Sequence, residues 1–286
     1  MHVADSPQAM RAWRHLEAGS RRVALVPTMG ALHDGHLALI ERARSVADLV
    51  VVSIFVNPLQ FDRPADFDRY PRPIDDDIAR CRQHGVEAVY APTAQAMYPS
   101  GFQTHVEPGA MALVLEGAQR PGHFRGVTTV VAKLFNAVEP HAAVFGEKDA
   151  QQLAVIRRMV ADLDMGIHIV GVPTVREDDG VAMSSRNQRL SADERRAAAC
   201  IPRALTAVQA AHRAGVVSTL DLVATGRAVV EAEPHARFEH LEIVDADTFA
   251  SIAEVPRHTA ASDRMPVLAL IAAWFGDVRL IDNCSL

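Results

Sequence analysis

Short apolar runs alternate with helix-like patterns over the first 175 residues, separated by turns that contain glycine or proline. The runs are continuous and rich in β-branched residues, which is typical of strands buried on both faces of a sheet. The predicted strands cover residues 23–26, 49–56, 87–91, 142–145 and 167–172. Because helical apolar spacing lies between successive strands, the pattern predicts an α/β fold with a doubly wound parallel sheet.

A helix is predicted ahead of the first of these strands. Ser6-Pro7 has the form of an N-cap followed by proline at the first helical position. Met10, Trp13 and Leu16 then recur at three-residue spacing, so we expect all three on one face of the helix. Gly19 is the predicted end of the helix.

Beyond Val175 the pattern changes and indicates a second, smaller α+β domain. Residues 176–189 are polar and predict a loop that acts as a hinge. Ser191 and Glu194 form a capping box that opens one long helix. A further helix and three antiparallel strands are predicted at residues 218–231, 238–245, 266–275 and 278–282. We therefore expect a larger domain over residues 1–174 and a smaller one over residues 175–286.

The turn after the first buried strand concentrates candidate functional residues. Pro27 is expected to end the strand, because proline has no N–H to donate, and Gly30 allows a tight turn. His33 and His36 follow, three residues apart, at the start of a helix. In a parallel α/β sheet this edge binds ligands, and the N–H groups at a helix N-terminus favour a phosphate.

Three other interpretations of this turn stay open on the residues alone. His33 and His36 could bind a metal, although no third ligand follows at the spacing of zinc proteases. They could be ordinary surface residues in a chain with 13 histidines. The glycines could serve backbone geometry alone. The stretch matches neither the G-x-G-x-x-G dinucleotide fingerprint nor the P-loop.

Other strand ends place polar side chains at the same predicted edge of the sheet. Gln60 follows the strand that ends at Val56 and could be either a substrate-directed amide or an ordinary loop residue. Lys148, in the Gly146–Asp149 turn after the fourth strand, can act as a point charge on a phosphate. Gln152 lies about one turn into the next helix, on the side that faces the ligand-binding cleft expected at this edge of the sheet.

Two charged segments allow both a structural and a functional interpretation. The loop of residues 117–126 gathers Arg120, His123 and Arg125 among glycines. It could be a solvated loop, but so much charge among glycines favours an anion site. Asp75–Asp77 places acid in the first turn of a helix, where the dipole favours negative charge. We prefer that interpretation to metal binding.

Composition limits the classes of function. The 286 residues are 49% hydrophobic and 22% charged, as in globular proteins, and carry no pattern of a signal peptide or membrane span. A net charge of −6 argues against broad binding to nucleic acid or anionic membranes. The three cysteines lie far apart and fit neither a disulfide framework nor a metal pair. We therefore expect a reducing, cytoplasmic setting.

The polar loop of the smaller domain contains a second motif, Met183-Ser184-Ser185-Arg186. Its hydroxyls and guanidinium can donate to phosphate oxygens. Serine-rich loops are common, but the pairing with the T-M-G-x-x-H-x-G-H turn is specific. The pair resembles the HIGH and KMSKS elements of the nucleotidyltransferase superfamily.

A closer resemblance, to the pantoate–β-alanine ligase (pantothenate synthetase) family, covers nearly the whole chain in order. The segments that carry it are Pro27–His36, Ile54–Phe61, Arg120–Val127, Phe145–Asp149, Met183–Asn187 and Arg279–Asn283. The resemblance implies a Rossmann-like parallel sheet with a smaller α+β C-terminal domain that closes over the site. It implies two steps: (R)-pantoate and Mg-ATP give pantoyl adenylate and pyrophosphate, and β-alanine then gives pantothenate and AMP.

The resemblance also implies site residues and partners. The implied catalytic residues are His33, His36, Lys148, Ser184, Ser185 and Arg186, with His36 as proton donor. The implied ATP-binding residues are Pro27, Thr28, Met29, Gly30, His33, His36, Gly146, Glu147, Lys148, Asp149, Val175, Met183, Ser184, Ser185 and Arg186. Pantoate would contact Met29, Gln60 and Gln152, and Gln60 would also reach β-alanine. ATP and Mg²⁺ are the implied cofactors, with no assigned metal ligands, in a cytoplasmic homodimer that binds neither nucleic acid nor membrane.

Two alternatives remain beside this expectation. One is another small-molecule adenylyltransferase of the same superfamily, which is not expected to carry both glutamines and the M-S-S-R loop at this spacing. The other is a non-catalytic nucleotide sensor that retains the fold. The presence of the two histidines and Lys148 argues against a sensor, because a sensor does not need groups that stabilise a transition state.

Overall fold

The computed structural model describes residues 1–257 and 267–286. The chain divides into two compact units, residues 1–147 with 151–173, and residues 148–150 with 174–286. We call these the N-terminal unit and the C-terminal unit. The functional division predicted after residue 174, with the smaller part closing over a site, stays a prediction.

A parallel sheet forms the centre of the N-terminal unit. Its strands are β1 (His2–Ala4), β2 (Val23–Thr28), β3 (Leu49–Ile54), β4 (Ala88–Tyr90), β5 (Ala142–Gly146) and β6 (His168–Val172). They lie in the order β1-β4-β3-β2-β5-β6, and every neighbouring pair is parallel. The predicted parallel sheet is confirmed. The sequence pattern missed β1, because three residues are too few for a periodicity.

Helices cover both faces of this sheet. They are α1 (Pro7–Trp13), α2 (Asp34–Val46), α3 (Pro64–Asp68), α4 (Ile74–Gln83), α5 (Ala94–Met97), α6 (Glu116–Gln119), α7 (His123–Val138) and α8 (Ala150–Asp162). Buried residues of α1, α7 and α8 share one core with Leu25 and Val51, and those of α2 and α4 share another with Val26 and Val52. Successive strand residues point to opposite faces, so the sheet is doubly wound, as predicted.

The strand order reverses direction beside β2. From β2 the chain moves outward through β3 and β4, and it then crosses to β5 and β6 on the other side of β2. Open α/β sheets bind ligands outside the carboxyl ends of the strands at such a reversal. Thr28 ends β2 and Gly146 ends β5, so the topology selects the turns that follow these two residues.

The prediction that Leu16 shares a face with Met10 and Trp13 is wrong, since Leu16 is 84% exposed whereas the other two are buried. The chain makes a π-helical turn over Arg14–Ala18. Such a turn has more residues than an α-helical one, so it rotates Leu16 away from the face that Met10 and Trp13 bury. Ala18 is buried at the end of the turn instead.

The C-terminal unit is a three-stranded antiparallel sheet packed against helices. Its elements in the described residues are α9 (Ala192–Ala197), α10 (Cys200–Arg213), α11 (Thr219–Glu231), β7 (Arg237–Asp245), β8 (Val267–Phe275) and β9 (Val278–Ser285). The strands lie in the order β7-β8-β9 and share a hydrophobic core with α10 and α11. This confirms the predicted smaller α+β part. The predicted start of one strand, Pro266, lies outside the described residues.

The prediction of one long helix after Ser191 is wrong. Ser191 and Glu194 do form the capping box, but α9 ends at Ala197 and α10 begins at Cys200. Pro202 explains the break, because its ring would clash with the carbonyl of residue 198 in a continuous helix. Among the residues described, no helix has the length and apolar character needed to cross a membrane.

Candidate active site

Strand β2 ends in a turn that requires glycine. The strand continues through Pro27 to Thr28, so the prediction that Pro27 ends it is wrong. The nitrogen of Pro27, which has no hydrogen to donate, lies on the side of β2 that faces β5. The pairing of β5 with β2 stops at Leu25. Gly30 follows with a φ of +81°, and a Cβ there would lie 2.8 Å from Oδ2 of Asp77.

Asp77 holds this turn from α4. Its carboxylate accepts hydrogen bonds from the main-chain N–H groups of Ala31 and Leu32, both at 2.8 Å, and the residue is 1% exposed. Burial raises the pKa of Asp77, and the two hydrogen bonds oppose that shift. The interpretation of Asp75–Asp77 as acid at a helix N-terminus missed this contact, because spacing does not show which of three successive aspartates faces inward.

The two histidines of the turn stand together at the N-terminus of α2. His33 is the N-cap, and its Nδ1 accepts a hydrogen bond from the N–H of Gly35 at 3.2 Å. Nδ1 of His36 accepts from the N–H of His33 at 3.2 Å, and the ring centroids are 4.1 Å apart. With Nδ1 used as an acceptor, each neutral ring carries its proton on Nε2.

A chain of hydrogen bonds orients the side-chain amide of Gln60. The hydroxyl of Tyr98 donates to Oδ1 of Asn57 at 2.8 Å, and Nδ2 of Asn57 donates to Oε1 of Gln60 at 3.0 Å. Burial raises the pKa of Tyr98, so the phenol stays a donor. Nε2 of Gln60 lies 3.3 Å from Sδ of Met29. The oxygen of the amide is therefore used inside the protein, and its NH₂ group is directed toward Met29.

Sequence reasoning found Met29 and Gln60 but missed Asn57 and Tyr98. Asn57 is 1% exposed and lies in the same segment after β3 as Gln60. A polar residue at that edge of the sheet could therefore have been identified from the sequence. Tyr98 is 41 positions from Asn57, in a stretch without periodicity. Its contact depends on the tertiary fold and has no sequence signal.

The basic loop of residues 117–126 holds the main chain of Gln60. Nη2 of Arg120 donates to the carbonyl oxygen of Gln60 at 3.0 Å, and Nδ1 of His123 donates to the same oxygen at 2.8 Å. Nε of Arg120 also pairs with Oδ1 of Asp62 at 3.2 Å. The side chains of Arg120 and His123 are therefore bound to groups of the protein itself, which is evidence against the predicted anion site.

The end of the same loop approaches Gln60 closely. A Cβ on Gly126 would clash with the carbonyl oxygen of Leu59, so any larger residue would push α7 away from this segment. Arg125 pairs with Glu107, Nε to Oε2, at 3.2 Å. The loop therefore supports the Gln60 segment.

The turn after β5 carries the predicted lysine. Gly146 ends the strand, and Glu147–Asp149 forms a 3₁₀ turn. The side chain of Lys148 is 18% exposed, and its Nζ lies 4.0 Å from Oδ2 of Asp149. The ammonium is thus largely covered, with a carboxylate at the edge of ion-pair distance.

Two adjacent glutamines open α8, and their environments differ. Gln151 is buried, and its Nε2 donates to the carbonyl oxygens of Met111 and Val114 at 2.9 and 2.8 Å. Gln152 is half-buried. Gln151 is therefore a packing residue, and Gln152 stays the candidate for substrate contact.

In the C-terminal unit the M-S-S-R loop folds back on itself. The N–H of Met183 donates to the carbonyl oxygen of Val175 at 2.9 Å, which joins two of the residues predicted to bind ATP. Oγ of Ser184 accepts from the N–H of Arg186 at 3.2 Å and caps a 3₁₀ turn over Ser185–Arg189. The hydroxyls and the guanidinium of the motif therefore share one short, capped segment.

Arg176 and Asp282 brace this loop, and sequence reasoning missed both. The guanidinium of Arg176 binds the carboxylate of Asp282 through two nitrogens, at 2.6 and 3.0 Å. These hydrogen bonds raise the pKa of Arg176. Asp282 lies in the R-L-I-D-N segment that carried the resemblance, but a motif in a strand gave no indication of which loop it contacts.

Each unit thus collects one kind of chemistry. The N-terminal unit places Met29 beside the Gln60 amide and pairs the two histidines at the N-terminus of α2, which suits a small substrate with acceptor oxygens and a phosphate. The C-terminal unit holds the ammonium of Lys148 and the donors of Ser184–Arg186, which suit anionic phosphate oxygens.

Comparison with known proteins gives matches over nearly the whole of this chain. The family model of pantoate-beta-alanine ligase matches residues 2–285. Pantothenate synthetase of Mycobacterium avium (strain 104) is 50% identical over 284 residues, which cover 99% of this chain and 87% of the relative.

Two solved structures are similar to this chain over nearly its whole length. Pantothenate synthetase from Thermus thermophilus has a TM-score of 0.90 at 43% identity, covering 99% of both chains. Pantoate-beta-alanine ligase from Francisella tularensis, complexed with beta-gamma ATP and beta-alanine, has a TM-score of 0.80 at 31% identity and covers 100% of this chain and 97% of that one.

Proposed function

The chain belongs to the pantoate–β-alanine ligase family, and from this premise we propose that it condenses (R)-pantoate with β-alanine through a pantoyl adenylate. Members of this family are carbon–nitrogen ligases, so the chain is an enzyme. The observation that carries the proposal is the Gln60 amide, whose oxygen is bound by Asn57 and whose NH₂ group, within the described residues, donates only to Sδ of Met29, a weak acceptor that a substrate oxygen can replace. Such a group suits a substrate carboxylate or hydroxyl.

The proposed first step transfers an adenylyl group. A carboxylate oxygen of pantoate attacks the α-phosphorus of ATP, the bond to the β-phosphate oxygen breaks, and pyrophosphate leaves. Catalysis of such a transfer is mainly positioning and electrostatic stabilisation. In the second step the neutral amine of β-alanine attacks the acyl carbon of the anhydride. AMP leaves, and the amine loses a proton as the amide forms.

The proposed substrate contacts follow from the placement of the side chains. Met29, Gln60 and Gln152 would bind pantoate, and Gln60 would also reach β-alanine. ATP would contact the turns that end β2 and β5 and the M-S-S-R loop, namely Pro27, Thr28, Met29, Gly30, His33, His36, Gly146, Glu147, Lys148, Asp149, Val175, Met183, Ser184, Ser185 and Arg186. The beta-gamma ATP and beta-alanine in the complex of the Francisella enzyme support these substrates by homology.

The proposed transition-state groups are cationic or hydrogen-bond donors. His36 would donate from Nε2, because its Nδ1 is bound to the N–H of His33. Lys148 and Arg186 would balance the charge that builds on the phosphate oxygens, with the hydroxyls of Ser184 and Ser185 as further donors. His33 would assist from the N-cap of α2.

Mg²⁺ is proposed to enter with ATP. The described residues contain no group of three or more His, Cys, Asp or Glu side chains that could hold a metal ion. Mg²⁺ does not need such a cage, since it commonly binds substrate phosphates and water. When bound, it would neutralise part of the phosphate charge.

The setting is also proposed from the family resemblance. We place the chain in the cytoplasm as a homodimer, binding neither nucleic acid nor membrane. The three cysteines are free, and burial raises the pKa of Cys81 to about 12 and that of Cys200 to about 11. Buried neutral thiols of this kind suit a reducing compartment.

ATP–pyrophosphate exchange tests the proposal. We expect exchange with ATP, Mg²⁺ and pantoate in the absence of β-alanine, and formation of pantothenate and AMP once β-alanine is added. Exchange that proceeds equally without pantoate, or with other acyl or nucleotide acceptors in its place, would indicate a different adenylyltransferase. ATP binding without exchange or product would indicate a sensor.

A further inference from the structure

Lys148 is held by the last strand of the chain. The segment Lys148–Ala150 belongs to the C-terminal unit, together with residues 174–286. Nδ2 of Asn283, in β9, donates a hydrogen bond to the main-chain oxygen of Lys148 at 3.0 Å. The residue with the proposed phosphate-binding ammonium is therefore fixed through its own backbone.

The neighbouring residue of β9 holds the other proposed phosphate-binding segment. Asp282 is 2% exposed, and its carboxylate binds both terminal nitrogens of Arg176. Nη1 of Arg176 also donates to the carbonyl oxygen of Gly180 at 2.9 Å, which closes the loop that leads to Met183. Oδ1 of Asp282 accepts from the main-chain N–H of Asn283 at 2.8 Å, so the Asp282 carboxylate is also fixed to the backbone of the residue that holds Lys148.

We propose that Asp282 and Asn283 are positioning residues that align Lys148 and the Ser184–Arg186 segment for adenylate formation. Adjacent side chains of a strand point to opposite faces, so β9 can hold two segments at once. The strand is paired with β8 along its length, which makes it a rigid reference for both. This inference rests on the proposed function, because it assigns a purpose to residues that act on Lys148 and Arg186.

Both contacts act on geometry rather than on the substrate. Without the donor of Asn283, the carbonyl of Lys148 can shift, and the ammonium shifts with it. Misplacement of a catalytic group by about 1 Å can lower a rate about 100-fold. Loss of the Arg176 fork would release the loop in the same way, because lysine cannot reproduce a two-nitrogen contact.

The first test is Asn283→Ala, with Gln209→Ala as the matched control. Gln209 is also half-buried, and its Nε2 donates to the main-chain oxygen of Ser285 in the same strand at 2.9 Å. Each variant removes an amide-to-carbonyl hydrogen bond at β9. We expect similar changes in melting temperature. We also expect a fall in kcat of about 10- to 100-fold in pantoate-dependent exchange for Asn283→Ala alone, with little change in KM for ATP.

A double-mutant cycle separates positioning from general stability. In a Lys148→Ala background, measured by single-turnover adenylate formation at high enzyme concentration, Asn283→Ala should lower the rate by less than about twofold, because the ammonium that Asn283 positions through the main chain is gone. Asn283→Asp has the same size but no donor and serves in the same cycle if the alanine variant unfolds. An equal rate loss in both backgrounds, or equal losses for Asn283→Ala and Gln209→Ala, would overturn the inference.

The second arm uses Arg176→Lys in wild-type and Arg186→Ala backgrounds. We expect Arg176→Lys to lower the exchange rate in the wild-type background and to have little further effect when Arg186 is absent. Multiplicative losses would overturn this arm. A wild-type chain without pantoate-dependent exchange would contradict the proposed function itself, and the two failures are therefore distinguishable.

Discussion

Nδ1 of His36 accepts a hydrogen bond from the main-chain N–H of His33 at 3.2 Å. Because this nitrogen is used as an acceptor, the neutral imidazole carries its proton on Nε2. The cap of α2 thereby selects the ring nitrogen that can donate to a phosphate. Helix capping and proposed proton donation use different nitrogens of one ring, so they can be separated by mutation.

Two amide variants should separate these roles. His36→Gln places an NH₂ group near the position of Nε2, whereas His36→Asn places its oxygen near that of Nδ1. We expect His36→Gln to retain more exchange activity, since loss of a preorganised donor costs about 10²–10³ in rate. We expect His36→Asn to retain more stability, since loss of a cap costs about 0.5–2 kcal/mol. Exchange kinetics and thermal melting measure the two effects, and the opposite order of activities would contradict the assigned tautomer.

Asp77 should matter to both the shape and the activity of the turn after β2. In Asp77→Asn the amide can accept from one of the two main-chain N–H groups of Ala31 and Leu32, and its NH₂ group faces the other. Leaving a buried donor unpaired costs about 1–3 kcal/mol, and the histidines that follow would lose their support. Asp76→Asn is the control, because Asp76 is exposed on the same helix and should change stability by less than about 0.5 kcal/mol. Denaturant unfolding and exchange kinetics test this, and equal effects of the two substitutions would refute it.

The raised pKa of Asp77 predicts a pH dependence with a definite sign. Burial raises this pKa above its value of 3.8 in the unfolded chain, so the folded state binds the proton more tightly. The stability contributed by Asp77 is therefore fully present below pH 3.8 and is lost as the pH rises through the folded pKa. The asparagine of the Asp77→Asn variant does not titrate. The stability of the wild type relative to this variant should thus increase as the pH falls from neutral toward about 4. Denaturant unfolding at several pH values checks this, and a decrease would contradict the direction of the shift.

The sheet and the edge that carries the candidate site were predictable because they depend on local patterns. The apolar runs of β2, β3 and β5 and the glycine turns that follow β2 and β5 have sequence signatures, and parallel topology brings the carboxyl ends of the strands to one edge. Met29 and Gln60 could therefore be assigned to one place before any contact was known.

The supports of the site were not predictable, because each depends on a long-range contact. Tyr98 reaches Asn57 across 41 positions, and Arg176 reaches Asp282 across 106. Neither contact has a periodicity or a spacing rule. The prediction for Leu16 was wrong for a different reason. A single π-helical turn changes the helix face on which a residue lies, and it leaves no mark in the composition.

Tyr98→Phe should weaken pantoate binding, although Tyr98 is not proposed to contact the substrate. The hydroxyl of Tyr98 fixes Oδ1 of Asn57, and Asn57 in turn fixes the amide of Gln60. Without that donor the Asn57 amide can turn over and present its NH₂ group differently. A neutral hydrogen bond contributes about 0.5–1.5 kcal/mol, so we expect KM for pantoate to rise by about 2- to 13-fold while KM for ATP stays nearly constant. A proportional rise in both KM values would show that the effect is general.

Gln60→Ala should produce a larger and equally selective loss. The variant removes the NH₂ group directed toward Met29, together with the acceptor that satisfies Asn57. A hydrogen bond to a charged group contributes about 1.5–3 kcal/mol, which corresponds to about 10- to 150-fold in pantoate affinity. In the Gln60→Ala background, Tyr98→Phe should have little further effect, because the amide that it orients is absent. Pantoate titration in the exchange assay, with ATP titration as the internal control, measures both variants. Equal losses of ATP and pantoate affinity in Gln60→Ala would remove Gln60 from the pantoate site.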